Sequence, residues 1–297
     1  MVYYTAGAEL VPIIIAYSIS LIALFIGSVT DLRTREVPDW INYGLIISGV
    51  GLNLLFSIIY STYYFIINSV IGLAVFFGLA YVMFYSGQWG GGDSKMMIGL
   101  GAMIGIDVSF TTSQFLVGFF TNALFIGALY GLLWSFFLVF RNKRKFWEKF
   151  SHSLMEKNVV KAKKIILLIL VALLPPFFIV GGYSKIFILS FAFLILLTFY
   201  LWIFVKAVEK TSMYRLVEPS KLTGGDWIAN DVYVDNQYIC GPKDLGIDKK
   251  QINKLIELHK KGKVKRILIK EGIPFVPSFF VAFIFTLAIG NPLAWFL

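Results

Sequence analysis

Two aspartates mark this chain because each lies where a long apolar segment meets a polar one. Asp93 closes Gln88-Trp89-Gly90-Gly91-Gly92-Asp93-Ser94-Lys95, a glycine-rich turn between two apolar stretches. Asp31, 62 residues earlier, ends another apolar stretch in Ser28-Val29-Thr30-Asp31-Leu32-Arg33. A carboxylate at a membrane boundary is costly to place and marks function by default. Two of them, brought together, can activate water for peptide hydrolysis. The ionised acid takes a proton from water, and the protonated one donates to the scissile carbonyl. Close carboxylates cannot both ionise cheaply, so they share a proton and titrate as a pair. Such chemistry needs no metal, no cofactor and no nucleophilic serine. The three glycines permit positive φ and let another backbone approach closely, with Gly90 and Gly92 expected to shape the turn.

These acids must be positioned by membrane helices. Of 297 residues, 58% are hydrophobic and 15% charged, and the mean hydropathy is +0.77. Apolar runs of about 20 residues, the length that crosses the hydrocarbon core, recur along the chain. The fold class expected is an all-α polytopic membrane protein with about eight transmembrane helices and a small α+β cytoplasmic insert. The first ten residues carry no Lys or Arg, so no cleavable signal peptide is expected. The single cysteine, Cys240, excludes an intramolecular disulfide and a multi-cysteine zinc site.

In chain order, segments are expected over 11–30, 41–60, 64–85, 96–110 (short, beginning at Asp93 or just after), 112–140, 165–182, 186–205 and 274–297. Gly99, Gly101 and Gly105 give segment four a small-residue stripe suited to close helix contact. Pro175-Pro176 should kink segment six. Residues 141–164 read as a basic loop. The chain thus divides into seven helices over 1–206 with the two-aspartate core, a polar insert over 207–272, and a last helix over 273–297. Within the insert, 231–239 reads as a hairpin turning at Asp235-Asn236. Asp248 with Gln251 reads as a capping box opening a helix that ends near Gly262, and 264–269 reads as a strand.

Orientation follows from the basic residues. With the N-terminus outside, inward-facing loops hold 26 of the 27 Lys and Arg, leaving only Lys185 outside. Asp31 and Asp93 then share the cytoplasmic face. The net charge of +10 is accordingly a topology signal that can also meet anionic lipid headgroups, and no nucleic-acid partner is expected.

Other residues carry less. His152 and His259 lie in basic, water-facing stretches without ligand partners at metal-site spacing. Asp226 follows Gly224-Gly225 and imitates the key turn, yet lies in the polar insert. Asp107 falls near the outer face with no partner acid. Glu36 and Asp39 are loop charges that are candidates for steering a basic substrate. No Walker-type loop is present, since Gly90-Gly91-Gly92-Asp93 lacks the Gly-Lys-Ser/Thr ending. Two alternatives to a protease stand beside it. One is an ion-coupled transporter or channel whose membrane-edge acids coordinate a cation; it would need polar groups within the spans, for which Asn53, Asn68, Thr121 and Asn122 are available. The other is an inactive scaffold that docks partners through 207–272.

The residues resemble the type IV prepilin peptidase family of GxGD membrane aspartyl proteases, especially its archaeal preflagellin peptidase branch. The family's motif matches Gly90-Gly91-Gly92-Asp93. Its first aspartate matches Asp31, followed by Arg33, Arg35 and Pro38, and the stretch Lys270-Glu271-Gly272-Ile273-Pro274-Phe275-Val276-Pro277 is similar to the archaeal lead into the last helix. The chain departs from the family in lacking the cysteine-rich insert of many bacterial members, and in showing eight segments where archaeal relatives have six. The resemblance implies a precursor pilin or archaellin as substrate, with a short basic leader before a hydrophobic helix, cut at the cytoplasmic face of the cell membrane.

Overall fold

The computed structural model describes residues 10–107, 115–244 and 246–292. The end of segment four (108–110), the start of segment five (112–114), the tip of segment eight (293–297) and the N-terminus through residue 9, which has no Lys or Arg, lie outside the described residues. The protein is a polytopic helical membrane protein with a small strand-containing insert.

Four long helices are α1 (Leu10–Thr34), α2 (Asp39–Ile59), α3 (Tyr64–Tyr85) and α5 (Phe115–Arg141). Each is apolar on nearly every side, as a lipid-facing helix must be, and each is long enough to cross a membrane. Between α3 and α5 runs α4 (Gly91–Ile104), only 14 residues long. Lipid does not solvate it: Met96, Met97, Leu100 and Ala102 are fully buried, enclosed by α2 and α3. Small residues make that enclosure possible. A Cβ on Gly101 would stand 2.5 Å from the Gly72 carbonyl oxygen of α3, and one on Gly99 would meet Leu45 of α2 at 2.9 Å. In lipid, where no hydrophobic drive brings helices together, such close backbone approach and interhelical hydrogen bonds do the packing.

The last helix, α11 (Val276–Ile289), is also 14 residues long and packs between α1 and α5. Phe279, Ala282 and Phe283 are fully buried in the same core as Leu24, Met96 and Phe119. That core therefore joins α1, α4, α5 and α11.

The basic loop expected over 141–164 is mostly helix. α6 (Lys143–Met155) and the start of α7 (Lys157–Ala172) fill it. Phe146 of α6 is buried with Ala207 and Val208, an apolar stripe that pays for folding the charged stretch into a helix. α7 breaks at Leu173 and continues as α8 (Leu174–Ile179), because Pro175-Pro176 cannot extend the α7 ladder. α9 (Tyr183–Val208) returns and runs into one wide turn, Glu209–Met213. Together α7–α8 and α9 make two more membrane-length helices, for six in all among the described residues, beside the short α4 and α11.

Beyond that turn, β1 (Tyr214–Val217) pairs antiparallel with a strand 50 residues on. The insert continues as β2 (Trp227–Ile228), β3 (Val232–Val234), β4 (Gln237–Cys240), α10 (Lys249–Lys260) and β5 (Ile267–Lys270). β5 lies between β1 and β2, so the strand read over 264–269 starts three residues later and becomes the centre of a sheet. β3 and β4 form the hairpin, turning at Asp235 (φ 51°) and Asn236 (φ 61°), the residues that best tolerate two left-handed positions in a row. Asp248 accepts from the Gln251 N–H at 2.6 Å and Gln251 accepts in return at 2.9 Å, the capping box read from the sequence.

Candidate active site

Asp31 lies in the last turn of α1 and is 5% exposed. Its Oδ2 accepts the Val276 backbone N–H at 3.0 Å. That donor is one of the first N–H groups of α11, which have no partner within their own helix. A helix N-terminus favours a carboxylate both through these donors and through its partial positive charge. One turn earlier, Gly27 brings α1 against both neighbours: a Cβ there would stand 2.7 Å from Met96 Cε and 3.3 Å from Val276 Cγ1.

Asp93 is the third residue of α4, so the helix begins two residues before the acid and not after it. Its Oδ2 accepts the Gly90 N–H at 2.9 Å, closing the helix's own first turn. The glycines act differently from expectation: none of Gly90, Gly91 and Gly92 has positive φ, and the left-handed residue of the turn is Gly87 (φ 71°). What the motif needs is room. A Cβ on Gly90 would meet Asp93 Oδ2 at 3.2 Å and one on Gly92 would meet Val37 Cβ at 3.3 Å, whereas one on Gly91 would find its nearest neighbour, Phe84, only at 3.9 Å. The spacing of the two constrained glycines around a free one is thus a contact pattern. Trp89 is buried and pins the turn edge-on to Phe279 of α11, with ring centroids 5.2 Å apart.

α1 packs directly on α4, which brings Asp31 within electrostatic reach of Asp93. Arg35 fixes the rim: it donates to the Gly272 carbonyl at 2.8 Å and lies 5.4 Å from the Trp134 ring centre. Its own backbone is left-handed, φ 61°, a conformation that costs a non-glycine residue about 1 kcal/mol or more. Tyr130 of α5 was not singled out in the sequence, where one tyrosine in an aromatic-rich span gives no signal. In the structure its hydroxyl is buried without a hydrogen-bond partner among the described residues and lies within electrostatic reach of Asp31 and Arg35.

Residues 18–132 match the model of the type IV leader peptidase family. That stretch contains Asp31, the glycine turn, Asp93 and Tyr130. Over 90 residues the chain is 46% identical to a preflagellin peptidase of Methanococcus maripaludis, covering 30% of this chain and 39% of that relative. A preflagellin peptidase of Methanocaldococcus jannaschii is 38% identical over 90 residues, 38% of its length, and one of Methanococcus voltae is 37% identical over the same span. The chain thus aligns with less than half the length of the curated relatives it matches. Val276, which holds Asp31, falls outside the stretch shared with the leader peptidase family.

The remaining acids are placed elsewhere. Asp39 forms a 2.6 Å ion pair with Lys95, which leaves it little free charge with which to steer a substrate. Glu36 is exposed and acts on Asp226 across the gap to the insert. Asp226 accepts the Thr223 N–H at 2.9 Å and belongs to a turn of the insert. Asp107 accepts from the Tyr64 hydroxyl at 3.1 Å, at the opposite end of α4. The His259 ring lies 2.7 Å from the Val264 carbonyl, closing the end of α10.

The polar residues inside the spans are used as well. Asn53 donates to the Met103 carbonyl at 3.0 Å, and Ser69 to that of Ala102 at 2.6 Å. The Asn68 carbonyl accepts the Ile106 N–H at 2.9 Å. Asn122 donates to Thr286 Oγ1 and to the Gly290 carbonyl, both at 2.9 Å. The Asn53, Ser69 and Asn122 bonds satisfy open carbonyls at the ends of the two short helices, α4 and α11, which lipid cannot do. Asn53 and Asn122, two of the groups an ion pathway would need, are thus occupied in closing helix ends, and Thr121 donates to the Val117 carbonyl at 3.0 Å.

Proposed function

We propose that this chain is a membrane endopeptidase of the aspartic type, with Asp31 and Asp93 as its catalytic pair. The single observation that carries the proposal is the close packing of α1 on α4 beside both acids, where a Cβ on Gly27 would stand 2.7 Å from Met96 Cε, inside the stretch matched to the leader peptidase family. One acid, ionised, takes the proton of a bound water as that water adds to the scissile carbonyl carbon. The other, protonated, gives its proton to the carbonyl oxygen. Collapse of the tetrahedral species breaks the C–N bond, and the amine leaves with a proton returned by the pair. Asp31, faced by the Val276 N–H and by Arg35, is suited to carry the charge. No metal or cofactor enters.

The substrate proposed is a precursor archaellin or pilin with a short basic leader and a hydrophobic helix. The preflagellin peptidase names of the similar proteins support it; with the N-terminus outside and both aspartates at the cytoplasmic face of the cell membrane, an orientation that the distribution of basic residues supports, cleavage would occur on the cytoplasmic side. Glu36, exposed at the end of α1, is the steering charge left after Asp39 is paired with Lys95.

The test is cleavage of such precursors in membranes carrying the full chain. The wild type should release the leader, Asp93→Asn and Asp31→Asn should each lose activity by about a thousandfold or more, as removal of an essential acid or base does, and Asp107→Ala should cut normally. Full activity in either Asn variant would overturn the assignment of the pair.

A further inference from the structure

Beside the proposed pair stands an unpaired polar group from a third helix, one that carries neither acid. Tyr130 projects from α5 toward the same junction. Gly127, one turn before it, lies so close to Phe275 that a Cβ would stand 2.5 Å from the ring, and Phe275 directly precedes the Val276 N–H that binds Asp31. Trp134, one turn after it, lies 5.8 Å from the Tyr130 ring and carries Arg35 over its own. Gly127, Tyr130 and Trp134 therefore form one face of α5 turned toward Asp31. On that face the Tyr130 hydroxyl is buried and has no hydrogen-bond partner among the described residues. A buried hydroxyl normally finds a partner, and leaving one unpaired is destabilising. A hydroxyl left open beside an acid pair is poised for a partner that arrives with the substrate.

We propose that Tyr130 is a catalytic residue of the same site, its hydroxyl donating a hydrogen bond to the oxygen of the scissile carbonyl as that oxygen becomes tetrahedral. The inference rests on the aspartic-protease reading above. No proton is transferred from the tyrosine: the acid pair supplies the proton, and the hydroxyl stabilises charge developing on the oxygen before it arrives. A donor aimed at the transition state raises kcat more than it lowers KM.

The experiment measures kcat and KM on a pilin-type precursor for the full-length wild type, Tyr130→Phe and Tyr200→Phe, with the melting temperature of each. Tyr200 lies on α9 and is exposed. Tyr130→Phe should lose about ten- to a thousandfold in kcat, the range for removal of one oxyanion donor, with KM changed less than about threefold. Its melting temperature should be unchanged or higher, because the deleted hydroxyl had no partner to lose. Tyr200→Phe should match the wild type throughout. Wild-type kcat in Tyr130→Phe overturns the proposal and leaves the protease reading intact, as does a change confined to KM. A kcat loss that comes with a lower melting temperature also overturns it, since the tyrosine would then be structural. No cleavage by the wild type removes the protease reading and the role of Tyr130 together.

Discussion

Asp31 and Val276 are 245 residues apart in the chain and 3.0 Å apart in the structure, joined by a backbone N–H to carboxylate hydrogen bond. The last short helix therefore orients the first acid. The contact has a length requirement as well as a charge requirement. Asp31→Glu keeps the charge and adds one methylene, which carries the carboxylate past the N–H in a site where Asp31 is 5% exposed. Cleavage by Asp31→Glu should fall by about a hundredfold, the scale expected when a reacting group is displaced by an ångström. Retention of wild-type kcat would mean that the Val276 bond has no part in placing the acid.

The glycine turn makes a prediction that separates its members. Gly92→Ala sets a methyl 3.3 Å from Val37 at the first turn of α4, while Gly91→Ala finds nothing nearer than 3.9 Å. Both positions are helical, where alanine is favoured over glycine by roughly 0.5–1 kcal/mol. Gly91→Ala should be as active as the wild type and slightly more heat-stable. Gly92→Ala must push α4 from the α1–α2 link, and its cleavage rate should drop by about tenfold or more. Equal activity of the two variants in the membrane assay would show that the turn tolerates a side chain on either face.

Asp226 offers a pH test away from the membrane. Burial pushes its carboxyl up from the ordinary value, and the nearby Glu36 and Glu271 add to the push, against the Thr223 hydrogen bonds. An acid whose pKa is raised on folding binds its proton more tightly in the folded state. Its stability contribution is therefore intact below the unfolded value of about 4 and is lost as pH rises toward the folded value. Asp226→Asn keeps an oxygen for the Thr223 N–H, 2.9 Å away, and removes the charge. Its melting temperature should exceed the wild type's at pH 7 and equal it near pH 3, with cleavage unaffected. A lower melting temperature at pH 7 would mean that the carboxylate is stabilising where it lies.

Much of the site was legible before any coordinates because membrane chemistry constrains sequence so strongly. An apolar chain must carry its few acids for a reason, so Asp31 and Asp93 stood out at segment ends, and basic residues crowded into alternate loops implied that both share a face. Local rules also reached the insert, since the Asp235-Asn236 turn and the Asp248 cap depend only on neighbours in sequence.

Tertiary structure decided what depends on distant partners. The glycine stripe of α4 pointed to close contact, but the identity of its neighbours, α2 and α3 with their capping Asn53 and Ser69, came only with folding. The helix α6 hides in a charged stretch because its buried face is one phenylalanine deep, Phe146 on Ala207 and Val208. β5 could be read as a strand, but its two neighbours are separated from it by 50 and 39 residues. Tyr130 carried no mark at all. A tyrosine among apolar residues satisfies the same hydropathy whether it faces lipid or an acid, and only the packing of α5 against α11 turns its hydroxyl toward Asp31. Periodicity, charge and turn chemistry act over a few residues and are written in the chain; which helix end meets which carboxylate is set by packing, where each contact depends on all the others.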